Sequence, residues 1–156
     1  MGDVISLQWK HINFEDSKLS KVIRKTGNLH SFKLVKPALE VLKKYKNENS
    51  SDESFVFSLV KNEEKFLKNE YYAISEIQRI SQNINNEFTD LSQKLELNSK
   101  LTFHMSRHTF ATNALNNGMR IEHVSKVMDH SSIRVTEIYA KVINTELDAS
   151  MDKFVY

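Results

Sequence analysis

The chain has 156 residues, 40% of them hydrophobic, with 22 Lys and Arg against 20 Asp and Glu, a formal charge of +2. That length suits one domain around one hydrophobic core, and the absence of cysteine excludes disulfides and thiolate metal sites. No apolar run approaches the ~18 residues of a membrane span, and the N-terminus, with Asp3 and no basic or long apolar stretch, does not resemble a signal peptide, so a cytoplasmic protein is expected.

Near-balanced charge does not by itself identify a nucleic-acid partner. Two local basic clusters do more: Lys18, Lys21, Arg24 and Lys25, then Lys33, Lys36, Lys43, Lys44 and Lys46. Phosphate contacts from such groups would weaken with salt through counterion release.

In chain order, residues 1–9 carry Val4, Ile5, Leu7 and Trp9 and look like the tail of an element that starts earlier. Residues 11–34 alternate as short strands, with Thr26, Gly27 and Asn28 as a turn between β-prone runs, which predicts a small antiparallel sheet. Pro37, the only proline, suits the first turn of a helix continuing through Leu39, Val41, Leu42 and Tyr45. A polar loop follows over 47–54, and the apolar run 55–59 has no defined type.

Residues 71–97 give the clearest helix. Ile74, Ile77, Ile80, Ile84, Phe88, Leu91 and Leu95 recur every three or four residues, a stripe expected to be core. From Leu101 onward further helices are expected: one over 103–117 ending at Gly118, a second over 121–128, a turn at His130, Ser131 and Ser132, and a third around Tyr139. A last helix would carry the stripe Leu147, Met151 and Phe154. The fold class is mainly α with a small antiparallel sheet.

The chemistry-bearing residues cluster late. His104 and Arg107 sit in HMSRHTF, His130 in MDHSS and Tyr139 in TEIYAKV. A tyrosine is a competent nucleophile once its proton is taken, arginine clamps phosphate oxygens bidentately, and neutral histidine moves protons near neutral pH. Together they can attack a phosphodiester without a metal. An isolated H-x-x-R is ordinarily a solvated helix face, and context decides otherwise here. His104 and His108 have zinc-pair spacing, but HMSRH holds no glutamate and no third ligand is evident, so His108 is expected to pack or cap. Tyr139 stands about 100° around the helix from Ile138, off the apolar face expected for Val135, Ile138 and Val142, so it need not be core.

HMSRHTFATNAL and MDHSSIRVTEIY resemble the catalytic signature of the tyrosine recombinases, the phage-integrase family of DNA breaking and rejoining enzymes. The resemblance is strong over 101–142 and weak over 57–98. It implies that Tyr139 bonds to a 3′ phosphate and releases a 5′ hydroxyl, with no cofactor. It implies that Arg107 is the second of two phosphate-holding arginines, that His104 assists proton transfer and that His130 contacts the phosphate. A β-hairpin lysine that protonates the leaving oxygen matches Lys25, with Lys21 and Arg24 as alternatives. The family's usual glycine before the second histidine is Asp129 here, a carboxylate that would favour the imidazolium form of His130.

The resemblance further implies double-stranded DNA as partner and a DNA-bound tetramer for the intact protein. Residues 1–156 would be its catalytic domain, truncated at the N-terminus. Aligning the family's acidic position with Asp3 would put the first catalytic arginine just before Met1, with the separate DNA-clamping domain absent. The terminal stripe would dock on a neighbouring protomer or on its own domain. The rival function is a non-catalytic helix-turn-helix over 111–131, suggested by Ala114, Gly118 and Val124.

Overall fold

The computed structural model describes residues 1–140 and 151–152. The described chain divides into two compact units, Met1–Asp90 and Leu91–Tyr156. In place of one core, the described residues form three buried clusters, two in the first unit and one in the second.

The first unit opens with the short helix α1 (Gly2–Ile5) and a 3₁₀ turn at Trp9–His11. A three-stranded antiparallel sheet follows in the order β1 (Ile12–Asn13), β2 (Lys18–Val22), β3 (Leu29–Lys33), as the strand-like runs predict. Leu19 pairs with both Ile12 and Phe32. The β2–β3 connection depends on Gly27, whose φ of +70° is the left-handed region, while nothing lies within 4 Å of where a Cβ would point. Conformation, not space, therefore demands glycine there. Helix α2 (Lys36–Tyr45) has Pro37 in its first turn, where a missing N–H costs nothing.

Leu7, Trp9, Ile12, Leu42 and Val56 form one cluster, with Phe14, Leu19, Leu34 and Phe57 packed on it. Phe55, of undefined type in the sequence, bridges to Gln8 and joins the other cluster with Ile5, Val60, Phe66, Ala73 and Ile80. Phe66 comes from α3 (Glu63–Lys68), a six-residue helix the sequence did not reveal; Asn62 caps it by accepting the Lys65 N–H at 2.8 Å.

The long helix α4 (Glu70–Lys94) is present, but its apolar stripe is only partly core. Ile80 is buried and Ile77 and Ile84 pack beside it, whereas Ile74, Leu91 and Leu95 are exposed. The inward face runs through Ala73, Glu76 and Ile80, about 100° away from Ile74. Glu76 is buried on that face and bonded three ways: Arg79 donates to its carboxylate at 2.9 and 2.7 Å, and the Lys61 N–H at 3.1 Å. Those bonds, the Arg79 ones foremost, pull its pKa down to about 2.

The second unit packs α5 (Phe103–Asn116), α6 (Ile121–Val127) and α7 (Arg134–Ala140) around Ala111, Val124, Met128 and Tyr139. Three helices end in the same way. After α5 the Gly118 N–H bonds the Leu115 carbonyl and the Met119 N–H that of Ala114, with Gly118 at φ +79°. After α6, Asp129 (φ +51°) and His130 bond Lys126 and Ser125; after α4, Glu96 (φ +51°) and Leu97 bond Gln93 and Ser92. These are Schellman caps, in which one left-handed residue lets two N–H groups satisfy orphan carbonyls.

Candidate functional site

Helix α5 carries His104, Arg107, His108 and Ala111 at spacings that put them on one face. Ala111 is fully buried and anchors that face on the core. Arg107, half-buried, donates from its guanidinium to the Met128 carbonyl at the end of α6. A C-terminal carbonyl with no helical partner thus fixes the arginine, and the guanidinium keeps further N–H donors of its fork.

The cap after α6 then places His130. With Asp129 in the left-handed conformation usually left to glycine, the chain reverses and the ring Nδ1 comes within 2.8 Å of Thr136 Oγ1 on α7. Aspartate tolerates this conformation better than most residues. Asp129 does favour the imidazolium form, as a neighbouring carboxylate is expected to, but it is outweighed. Burial lowers the His130 pKa first, the Arg107 charge lowers it further, and Asp129 opposes them without prevailing.

Tyr139 also corrects the sequence reading. Its ring is buried, 6% exposed, inside the cluster with Ala111, Val124 and Met128, while Val135 and Ile138 are 45% and 53% exposed. Val142 lies outside the described residues. Helix α7 is therefore rotated so that Thr136 and Tyr139 face inward: the tyrosine ring offers more apolar area than either β-branched side chain, and Thr136 has His130 as partner. Among the described residues no buried polar side-chain atom lacks a hydrogen bond, and the Tyr139 hydroxyl makes none. The ring is held by the core, and 6% of the residue stays exposed.

His108 packs, as expected of it. Its ring centroid is 5.3 Å from that of Tyr139 and 4.6 Å from that of the exposed His104, edge to face. Among the described residues no group of three His, Cys, Asp or Glu could hold a metal.

The hairpin cations separate clearly. Lys21 is buried, its Nζ donates to the Ser6 carbonyl at 3.2 Å, and burial lowers its pKa. The Arg24 guanidinium lies over Phe66, 5.3 Å from the ring centre, and its backbone N–H donates to Asp3 Oδ1 at 2.9 Å. Lys25 is exposed in the turn, and among the described residues it makes no contact like that of Lys21 to Ser6 or Arg24 to Phe66. It belongs to the first unit, and Arg107, His104, His130 and Tyr139 to the second. The sequence reading missed Thr136, hidden as one polar residue in a short helix, and the Met128 carbonyl, for which no side chain could give a signal. Leu147 and Phe154 of the terminal stripe lie outside the described residues, and Met151 is exposed.

The Phage integrase family model matches residues 1–146. The chain is 25% identical to tyrosine recombinase XerA of Pyrococcus furiosus over 155 residues, 98% of this chain and 49% of that protein. It is 43% identical to tyrosine recombinase XerC of Pediococcus pentosaceus over 58 residues, 37% of this chain and 19% of that one. It thus spans about half the length of the first relative and less of the second. Its fold resembles the crystal structure of XerA recombinase, with a TM-score of 0.64 at 20% identity, covering 99% of this chain and 53% of that one. It also resembles the Tn1549 transposon integrase, solved in complex with a circular intermediate DNA, with a TM-score of 0.57 at 17% identity over 88% of this chain and 48% of that one.

Proposed function

We propose, from the premise that this chain belongs to the phage integrase family, that it is the strand-transferring part of a site-specific recombinase acting on double-stranded DNA. The observation that carries this is Tyr139, with its ring packed in the cluster of Ala111, Val124 and Met128, the last of which holds Arg107 through its carbonyl. Attack of the Tyr139 oxygen on a phosphodiester gives a 3′ phosphotyrosine and a free 5′ hydroxyl. A 5′ hydroxyl of another strand reverses the step, so the bond energy is conserved and no nucleotide is consumed. Arg107 and His130 hold the phosphate oxygens, His104 assists proton transfer and Lys25 protonates the leaving 5′ oxygen. Action as a DNA-bound tetramer in the cytoplasm belongs to this reading.

Helices α5 and α6 with Gly118 between them do have a helix-turn-helix outline. A purely reading role leaves Arg107, His130 and Tyr139 unemployed. A suicide substrate with a nick beside the cleavage site separates the two readings. The wild-type sequence should yield an adduct that survives SDS, and Tyr139→Phe, which keeps the packed ring, should bind DNA and yield none. An adduct from the phenylalanine variant, or none from the wild type, would remove the assignment.

A further inference from the structure

We propose that Thr136 is a positioning residue that sets the tautomer of His130, holding its proton on Nε2 so that the ring meets the phosphate as a neutral hydrogen-bond donor and not as the base that takes the Tyr139 proton. Thr136 is 0% exposed, and its Oγ1 lies 2.8 Å from His130 Nδ1. A buried hydroxyl proton requires an acceptor. Helical threonines often donate back to a carbonyl one turn earlier, but among the described residues the only hydrogen bond of this hydroxyl is to His130. The hydroxyl therefore donates, Nδ1 accepts with its lone pair, and the neutral ring carries its hydrogen on Nε2.

The reverse arrangement, with Nδ1–H donating to Oγ1, would leave the threonine O–H without an acceptor in the core. Protonating His130 demands that same reversal, so Thr136 opposes the imidazolium. The charged groups acting on the ring are Arg107 from α5 and Asp129 from the turn. Burial and the arginine lower the pKa against the carboxylate, which agrees with a neutral ring. Proton removal from Tyr139 then falls to another group, consistent with the role given to the exposed His104. The kinetic meaning of this assignment rests on the recombinase reading; the tautomer itself does not.

Nitrogen-15 NMR of the histidine side chains in the DNA-free chain reads the tautomer directly. His130 should show an unprotonated Nδ1 and a protonated Nε2 in the wild type and in Thr136→Ser. Thr136→Val should give a mixture of tautomers and a raised His130 pKa. In cleavage of a suicide substrate by the full protein, Thr136→Val should be slower on the order of tenfold, as when an orienting partner of a histidine is lost, and its pH–rate profile should shift to higher pH. Thr136→Ser should restore both. A wild-type His130 protonated on Nδ1, or a valine variant with an unchanged tautomer, would overturn the proposal. If Thr136→Val does not fold, the wild-type and serine spectra decide alone. An Nε2-protonated His130 in a protein that never forms an adduct would defeat the recombinase reading and leave this assignment standing.

Discussion

Asp129 serves the backbone and the electrostatics of one turn at once. Its left-handed conformation closes the cap that delivers His130, and its carboxylate is the single influence that raises the His130 pKa, against burial and Arg107. Replacing it with asparagine keeps tolerance for the left-handed region and removes the charge. Asp129→Asn should therefore lower the His130 pKa further while leaving the Ser125–His130 bond in place. A side-chain NMR titration gives the answer, and a rise in pKa would mean that the carboxylate does not act on the ring as described. Conformation explains how the family's usual glycine can be missing here: the φ that glycine would supply is supplied by aspartate.

The helices show what was legible and what was not. Thr26-Gly27-Asn28 marked the hairpin, Pro37 the start of α2 and Gly118 the end of α5, because each residue type has a conformational reason to be where it is. The orientation of α7 was not legible. Seven residues are two turns, too few for periodicity to choose between the face with Val135 and Ile138 and the face with Thr136 and Tyr139. What decides is tertiary: the partner His130 offers to Thr136 and the space between α5 and α6 that a tyrosine ring fills. The site residues themselves came from a local motif and not from periodicity, so they were named while the inward turn of Tyr139 was not. At the helix ends, Glu96 holds a left-handed φ without aspartate's tolerance for it. Left-handed backbone costs an ordinary residue ~1–2 kcal/mol, and glycine returns about 0.5–1 kcal/mol of that through its freer unfolded chain. Glu96→Gly should therefore stabilise the second unit by about 0.5–1 kcal/mol, and Gly118→Ala should destabilise it by about 1 kcal/mol. Urea denaturation of the two variants checks both signs.

Among the described residues, the histidine and carboxylate shifts act in one direction. His11 and His130 have pKa values lowered from 6.5, and Glu76 is lowered from 4.5 to about 2. Each lowered pKa means that the folded chain binds fewer protons than the unfolded chain, so stability rises with pH through that window. On acidification the histidine contributions are lost first, from pH 6.5 downward. The Glu76 contribution is complete above pH 4.5 and disappears as the pH falls toward 2. Trp9, the only tryptophan, is buried in the first unit and reports the unfolding of that unit. Its fluorescence should show a urea midpoint that falls from pH 7 to 5 and again below 4.5. Glu76→Gln should lower stability at pH 7 by about 1–3 kcal/mol, because a buried charged hydrogen-bond network loses its acceptor, and should flatten the second fall. A second fall of unchanged depth would assign it to other carboxylates.

The burial of the Tyr139 ring bears on what happens to a broken DNA strand. In the covalent stage of the proposed reaction the 3′ end hangs from the tyrosine oxygen, on a tether one aromatic ring long, with the far end of that ring set among Ala111, Val124 and Met128. A ring so packed has no free rotor to let the end drift. The strand end stays at the local concentration that a fixed, near-attack geometry gives, which favours resealing over escape.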